Sequence, residues 1–495
     1  MDLLVWTLAV PLIAAAAGAI VTSRRVNEAV MAGGLLVTFV LCLAVAGRFL
    51  AGEAPAAFGD ALRVDGLSAL VLALSGFVGL LSGVYGIGYL RRNEARHLVT
   101  PRMRREFYGL IPAYVFAMLL VAMSNNLGIL WIAVELTTLA SVFLVTFHDR
   151  ETSLEAAWKF LMLGSLGLGF ALLGTVLLFA AGQGQLGEGL SALHWTRFMD
   201  AAPRLHPFTL RLGVIFALIG YGTKAGLAPM HTWKPDAYRE APSPAVVLMA
   251  VGMVNGAVYC LLRIHLISTA ALGRDFSGDL LLALGLLSVL IAVPFVLIQW
   301  NVKRLLAYSS IEHVGIMAVG LGLGAQAAVF GALLHMTYHS LAKPVALFSA
   351  GTLAQLHSSS DFSRIGTGTF TRAPVTSALF VLATLIITGS PPFGMFFSEM
   401  TMLRAGFLGP HATATSVFLA ALIVLFCGFA YQVGRLVLGP PRDPADRRVP
   451  LPERFDVGMG VTLAAAAFAA VSAFYLPGPL MALIDAAARV VWEGR

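Results

Sequence analysis

Two ionisable residues stand in this sequence where an apolar helix would not ordinarily carry them. In "NNLGILWIAVELTTLASVFLV", Glu135 comes ten residues into its helix, roughly 15 Å deep at about 1.5 Å per residue. That is the midplane of a ~30 Å hydrocarbon core. In "YGTKAGLAPMHTWKPDA", Lys224 lies at similar depth, just before the helix dissolves into Gly-Leu-Ala-Pro. Each costs about 2.5–3.5 kcal/mol at mid-membrane, and each is the natural partner of the other. A structural salt bridge is one reading, although desolvation offsets much of the attraction in a buried pair. A proton switch is the other. At an effective dielectric of ~20, charges about 4 Å apart attract by about 4 kcal/mol, and at about 10 Å by about 1.7. That difference resembles the work of moving one charge through about 100 mV, so a modest helix shift suffices to load or eject a proton.

A second constellation is "LLHMTYHSLAKPVALF". His335, His339 and Lys343 recur every four residues and form one helical stripe. Histidine titrates near neutrality, which suits a proton relay. Histidines four apart can also chelate zinc, but no third ligand is evident and Lys343 would repel the cation. A plain polar stripe between helices is the third reading. Pro344 leaves the Ser340 carbonyl without its helical donor. Glu399 follows another interrupted helix, "ITGSPPFGMFFSEMTML". Secondary candidates are Asn255, His231 in the first interruption, and Glu312 and His313 in "YSSIEHVGIM". Those last two are adjacent, hence about 100° apart on a helix, and are not expected on one face. Lys159 and Arg263 fall near helix ends, where long side chains reach the interface.

These residues need membrane helices to hold them. Of 495 residues, 58% are hydrophobic and 12% charged, with mean hydropathy +0.83, against about one quarter charged in soluble domains. The sequence reads as an all-α polytopic membrane protein with about 14 transmembrane helices. The first apolar stretch follows Met1-Asp2 and precedes Arg24-Arg25, the reverse of a cleavable signal. Loops after odd-numbered helices hold most of the 33 Lys/Arg, which places both termini on the outer face. The net charge of +7 is then a topology signal, and nothing suggests nucleic acid. Cys42, Cys260 and Cys427 lie singly in apolar helices, without paired spacing for a disulfide, zinc or iron–sulfur site. No G-x-x-x-x-G-K-[ST] loop occurs. No cofactor, metal site or active site of its own is expected, so uphill movement would draw on a gradient or a partner.

The two interruptions occupy corresponding places. Irregular backbone at membrane depth is tolerated only where protein or a wet cavity satisfies it, and paired broken helices point to inverted repeats with the site at the breaks. The expected organisation is three N-terminal helices (1–106), a first five-helix repeat (107–268, broken at 224–234), a second (277–438, broken at 389–396), and a basic inside loop with a last helix (439–495). Five is odd, so consecutive blocks enter from opposite sides.

The segments "WIAVELTTLASVFLV", "GYGTKAGLAPMHTWKPDAYREAPSP", "LLAYSSIEHVGIM", "HMTYHSLAKPVALF" and "SPPFGMFFSE" resemble the antiporter-like membrane subunits of respiratory complex I, Mrp antiporters and energy-converting hydrogenases, over roughly residues 60–440. Within that family the chain looks most like component F of hydrogenase-4 and formate hydrogenlyase. The resemblance implies that Glu135 and Lys224 form an ion pair gating proton movement, that His335, His339 and Lys343 form a polar axis, and that Glu399 is its terminal ionisable group. Asn255 stands where many relatives carry a lysine, which leaves the centre of the relay to water or His335. The implied partners are other membrane subunits, a peripheral redox arm with iron–sulfur proteins, membrane lipid, and protons or sodium. The implied location is a prokaryotic cell (inner) membrane.

The leading functional expectation is therefore a non-redox, proton-translocating subunit of a membrane-bound hydrogenase or complex I-like (NADH:quinone oxidoreductase-type) assembly. The alternative is an Mrp-type cation/proton antiporter subunit without a redox partner. A scaffold that has lost transport is supported only by Asn255, and nothing in the sequence bears on a role in inorganic-carbon uptake.

Overall fold

A computed structural model describes residues 3–440 and 452–494. Most of the basic loop expected around 439–455 lies outside the described residues. The chain begins with α1 (Leu3–Ile20), α2 (Arg24–Leu50) and α3 (Gly66–Glu94). Next come α4 (Pro101–Met123), α5 (Leu127–Val145), α6 (Glu151–Ala181), α7 (Trp195–Ala201) and α8 (Pro207–Ala225). Then α9 (Trp233–Glu240), α10 (Ser243–Val247) and α11 (Met253–Leu272) follow, the last two joined by a π-helical turn at Leu248–Gly252. A further run comprises α12 (Arg274–Ile298), α13 (Val302–Gly322), α14 (Gln326–His357), α15 (Phe362–Ile365), α16 (Pro374–Ile387), α17 (Gly394–Leu408) and α18 (Ala412–Leu438), before α19 (Val457–Val471) and α20 (Gly478–Glu493).

Helix starts follow capping chemistry. Asn126 accepts from the Gly128 and Ile129 N–H groups to open α5, and Asn301 accepts from Lys303 and Arg304 to open α13. Thr100 caps α4 with Pro101 in its first turn. Among the described residues ten helical spans are long and apolar enough to cross a membrane, and two shorter apolar helices, α16 and α19, accompany them. Burial sorts these spans into two groups. The apolar windows of the α10–α11 span and of α13 are 100% buried, whereas those of α2 and α18 are only 33% buried. The enclosed helices form the interior, and the others turn an apolar face outward. The 32-residue α14 carries His335, His339, Lys343 and His357 and is buried along nearly all of its length.

Helix α20 was not expected. It is amphipathic, packing Leu483, Ile484, Ala487 and Val491 inward while Asp485 and Arg489 stay exposed, and it lies against α3 and α14. Its charges hide it from a search for uniformly apolar segments.

Both interruptions are present as backbone breaks. At the first, α8 stops at Ala225 and Gly226 turns left-handed at φ +79°, a conformation glycine adopts without penalty. Its N–H donates back to the Gly222 and Thr223 carbonyls. Side chains from α9 then serve the freed helix end. Trp233 Nε1 donates to the Thr223 carbonyl at 2.9 Å, and Lys234 Nζ donates to the Ala225 carbonyl at 2.5 Å. The Ala228 N–H is held by Ser288 Oγ of α12 at 2.8 Å. At the second, α16 ends at Ile387, Gly389 has φ +67°, and α17 resumes at Gly394. Helix-end groups in a membrane need such partners.

The expectation that Arg263 reaches an interface is overturned. Its side chain is 0% exposed and makes a bidentate pair with Asp65, both contacts at 2.7 Å. The guanidinium also lies 4.0 Å from the Trp195 ring centroid and 4.6 Å from that of Tyr259, a stacked and forked arrangement specific to arginine. Asp65 in turn caps α3 through the Ser68 N–H at 2.9 Å. One pair thus fastens α11 to the start of α3. Burial alone would raise the Asp65 pKa, but the Arg263 charge and hydrogen bonds outweigh it and hold the carboxyl below its usual range. A depressed folded pKa means that this support is present above the unfolded value and is lost as pH falls through the folded one. Lys159, in contrast, is 46% exposed and paired with Glu155 and Asp236, in keeping with its expected surface role. Arg263→Ala leaves a carboxylate without its cation and should cost about 3–5 kcal/mol, read as a lowered unfolding temperature of the detergent-solubilised protein. An unchanged transition would show that the pair does not hold these helices.

Candidate ion-translocation site

The first cluster is built by α5, α8 and α6. Glu135 projects from α5 and is half-buried, with exposed Ile132 and Leu139 on the same side. Lys224, on the last turn of α8, is 2% exposed. Their charges interact, yet the two groups do not touch. The Lys224 ammonium donates to Thr138 Oγ1 at 2.7 Å, and the Thr138 hydroxyl lies 3.3 Å from Glu135 Oε2 as donor. A hydroxyl accepts and donates at once, so Thr138 is a hydrogen-bonded bridge between cation and carboxylate. The Phe160 ring centroid of α6 lies 5.0 Å from Lys224 Nζ, a distance suited to a cation–π contact. Thr138 escaped the sequence reading. Its spacing of three from Glu135 was the available signal.

The second cluster joins α13, α14 and α17. His313 Nδ1 and His335 Nε2 are 3.1 Å apart, and His335 Nδ1 is 3.0 Å from Ser398 Oγ. Ser398 immediately precedes Glu399 in α17, the helix that resumes after the second break. The His339 ring lies 5.0 Å from His313, centroid to centroid. Glu312 is close enough to Lys343 and to Glu399 for their charges to interact. Glu312 and His313 therefore both meet ionisable neighbours despite pointing about 100° apart, because α13 is enclosed on every side. Asn255 spends its amide on Ser340 Oγ at 2.9 Å, one residue from His339.

Several buried atoms in this interior have no hydrogen-bond partner among the described residues: Lys343 Nζ, both nitrogens of His339, Glu312 Oε2, His313 Nε2, Asn255 Oδ1 and Nδ1 of His231. Buried polar groups are almost always hydrogen-bonded, and water is the partner that remains to them. His313 brings a third imidazole to the pair considered for zinc. It is engaged nitrogen to nitrogen with His335, and no group of three or more His, Cys, Asp or Glu among the described residues is disposed to hold a metal ion.

The transmembrane family described as NADH:quinone oxidoreductase/Mrp antiporter matches residues 124–425, which include both clusters. A hydrogenase-4 component F homolog of Methylacidiphilum infernorum is 36% identical over 381 residues, 77% of this chain and 78% of that protein. The chain belongs to this family. An NADH-quinone oxidoreductase subunit N of Desulforudis audaxviator is 32% identical over 383 residues, covering 76% of this chain and 72% of its own. The fold is shared with a chain of the membrane-bound sulfane sulfur reductase, an archaeal respiratory membrane complex, at TM-score 0.87 and 21% identity, over 99% of this chain and 98% of that one. The protein is thus an antiporter-like integral membrane subunit related to hydrogenase-4 component F and to subunit N.

The Thr138 bridge gives this antiporter-like subunit a distinctive sensitivity. Thr138→Val keeps the shape but leaves the Lys224 ammonium without its acceptor. A hydrogen bond to a charged group is worth about 1.5–3 kcal/mol, so the valine variant should unfold earlier than wild type in detergent, and Thr138→Ser should restore most of the loss. Indistinguishable valine and serine variants would count against the bridge.

Proposed function

We propose that this chain is a proton-translocating subunit of a membrane-bound hydrogenase or complex I-like assembly, driven by redox chemistry in partner subunits. Protons would pass along Glu135, Thr138 and Lys224, through the His335, His339 and Lys343 stripe with Glu312 and His313, to Glu399. The observation that carries this reading is the run of buried ionisable groups joining two broken helices. Ionisable groups in membrane interiors are expensive and mark ion pathways. The further features of the proposal are fourteen crossings in a prokaryotic cell membrane, both termini on the outer face, and two inverted repeats (107–268 and 277–438), each with one break.

The position of Glu135 supports a membrane partner. A partly exposed carboxylate beside Ile132 and Leu139 would face lipid in the isolated chain, at a cost that a neighbouring subunit removes. The family relatives include subunits of hydrogenase and NADH-quinone oxidoreductase type, which supports an iron–sulfur redox arm as the source of energy.

Lys224→Ala should abolish energy-coupled proton movement, measured by acridine-dye quenching in inverted vesicles, while the other subunits still co-purify. Full pumping by that variant would refute the assignment. Mild-detergent purification followed by subunit identification decides the partner. Nickel–iron or iron–sulfur proteins are expected, and their absence together with a salt-dependent growth defect of a deletion strain would point to an Mrp-type antiporter.

A further inference from the structure

Lys234 lies in "HTWKPDA", outside every group considered so far as an ion carrier. It is 0% exposed. Its amine sits on the Ala225 carbonyl at 2.5 Å, at the C-terminal end of α8, where the helix dipole favours a cation. The aliphatic stem fills the space left by Gly226. A Cβ at that glycine would stand 2.6 Å from Lys234 Cδ and 2.7 Å from Nζ. The second break has the same construction. A Cβ at Gly389 would stand 2.9 Å from the Glu399 carboxyl carbon and 3.1 Å from Oε1. In each break, the left-handed glycine that ends one half-helix receives a buried ionisable side chain from the half that resumes. Lys234 is the first break's counterpart of Glu399.

Its surroundings fit a carrier better than a fastener. The amine rests on the residue next to Lys224, and its charge also acts on His231, His339 and Lys343. It therefore stands between the α8 cluster and the α14 stripe, where Asn255 offers only an amide already engaged by Ser340. No carboxylate among the described residues lies within 4.0 Å of Lys234; its amine has the Ala225 carbonyl and, 5.8 Å away, the Trp233 ring centroid. A carbonyl cap needs one donor, which a neutral side chain supplies without the cost of an uncompensated cation.

We propose that Lys234 is the proton carrier at the first break, linking Lys224 to His339 and Lys343; this rests on the proton-translocating reading above. The amine binds a proton on its lone pair and later releases it, with no other bond made or broken. Lys343 and Lys234 disfavour simultaneous charge, since like charges repel strongly where water is scarce, so loading one promotes release from the other.

The test is redox-driven proton uptake in inverted vesicles containing the intact assembly, energised by the electron donor of the subunits that co-purify, with subunit content measured in parallel. Lys234→Arg keeps a cation and a donor for the Ala225 carbonyl, but guanidinium does not release its proton. Assembly with at least a tenfold loss of uptake is expected. Lys234→Gln should also lose uptake, and Asn255→Lys added to it should recover part. Wild-type uptake by assembled Lys234→Arg, or by assembled Lys234→Gln, makes Lys234 a structural cap and overturns the inference. Lys224→Ala run alongside separates the two levels. If it is inactive while the Lys234 variants pump, only this inference falls; if it pumps as well, the underlying reading falls with it.

Discussion

A polar side chain held at membrane depth can draw its partners only from the protein or from water enclosed with it, and the arrangement of this chain follows from that constraint. Hydrocarbon offers neither donor nor acceptor. The partners are hydroxyls and helix ends: Thr138 for Lys224, Ser398 for His335, Ser340 for Asn255, and the Ala225 carbonyl for Lys234. The last of these exists because α8 is broken. An intact helix spends its carbonyls on its own N–H groups, whereas a terminated one presents several. Breaking the helix therefore creates the polar environment that a buried amine requires, and packing by α6, α11 and α13, with Ser288 of α12, encloses it.

Much of this was legible in the sequence because a membrane helix is expected to be monotonous. Glu135, Lys224, the His335–His339–Lys343 stripe and the two Gly-Pro interruptions all violate that expectation; Lys224 and the stripe are buried, whereas Glu135 is half-buried and Pro391 and Pro392 of the second interruption are exposed. Partners were harder to read. Thr138 looks like any threonine in an apolar helix, since nothing along the chain reveals that Lys224 arrives beside it from 86 positions away. The burial of Arg263 is hidden for a related reason. Its place near a helix end suggested an interface, but Asp65, 198 positions earlier, reaches it inside the fold. Chain position gives depth along a helix and says nothing about what covers that depth.

The geometry of α13 shows where periodicity stops being informative. An argument from 100° per residue separates Glu312 from His313 if the helix has one buried face. α13 has no exposed face at all, so both directions meet polar neighbours. Lys234 was hidden differently. It follows Pro229 and precedes Pro235 in a stretch that reads as connection, where a lysine is ordinarily a solvated residue; only the return of α9 against the end of α8 buries it.

The two ends of the buried polar run differ in kind from its middle. At one end, Glu135, Thr138 and Lys224 are joined by hydrogen bonds; at the other, His313, His335 and Ser398 are joined likewise. Between them, among the described residues, the side chains of His339 and Lys343 have no hydrogen-bond partner, and Lys234 has a carbonyl but no carboxylate within 4.0 Å. Fixed hydrogen bonds set orientation, while groups lacking protein partners depend on water, whose position adapts to small helix displacements. Charge in that middle region is also the least compensated, because Glu312 is the carboxylate whose charge reaches Lys343 while Lys234, Lys343, His339 and His313 all gain positive charge on protonation. Adding a proton to any one of them raises the cost of adding it to the next. A shift in α8 or α14 would therefore act most strongly there, where the first break and Lys234 meet the His339 and Lys343 stripe.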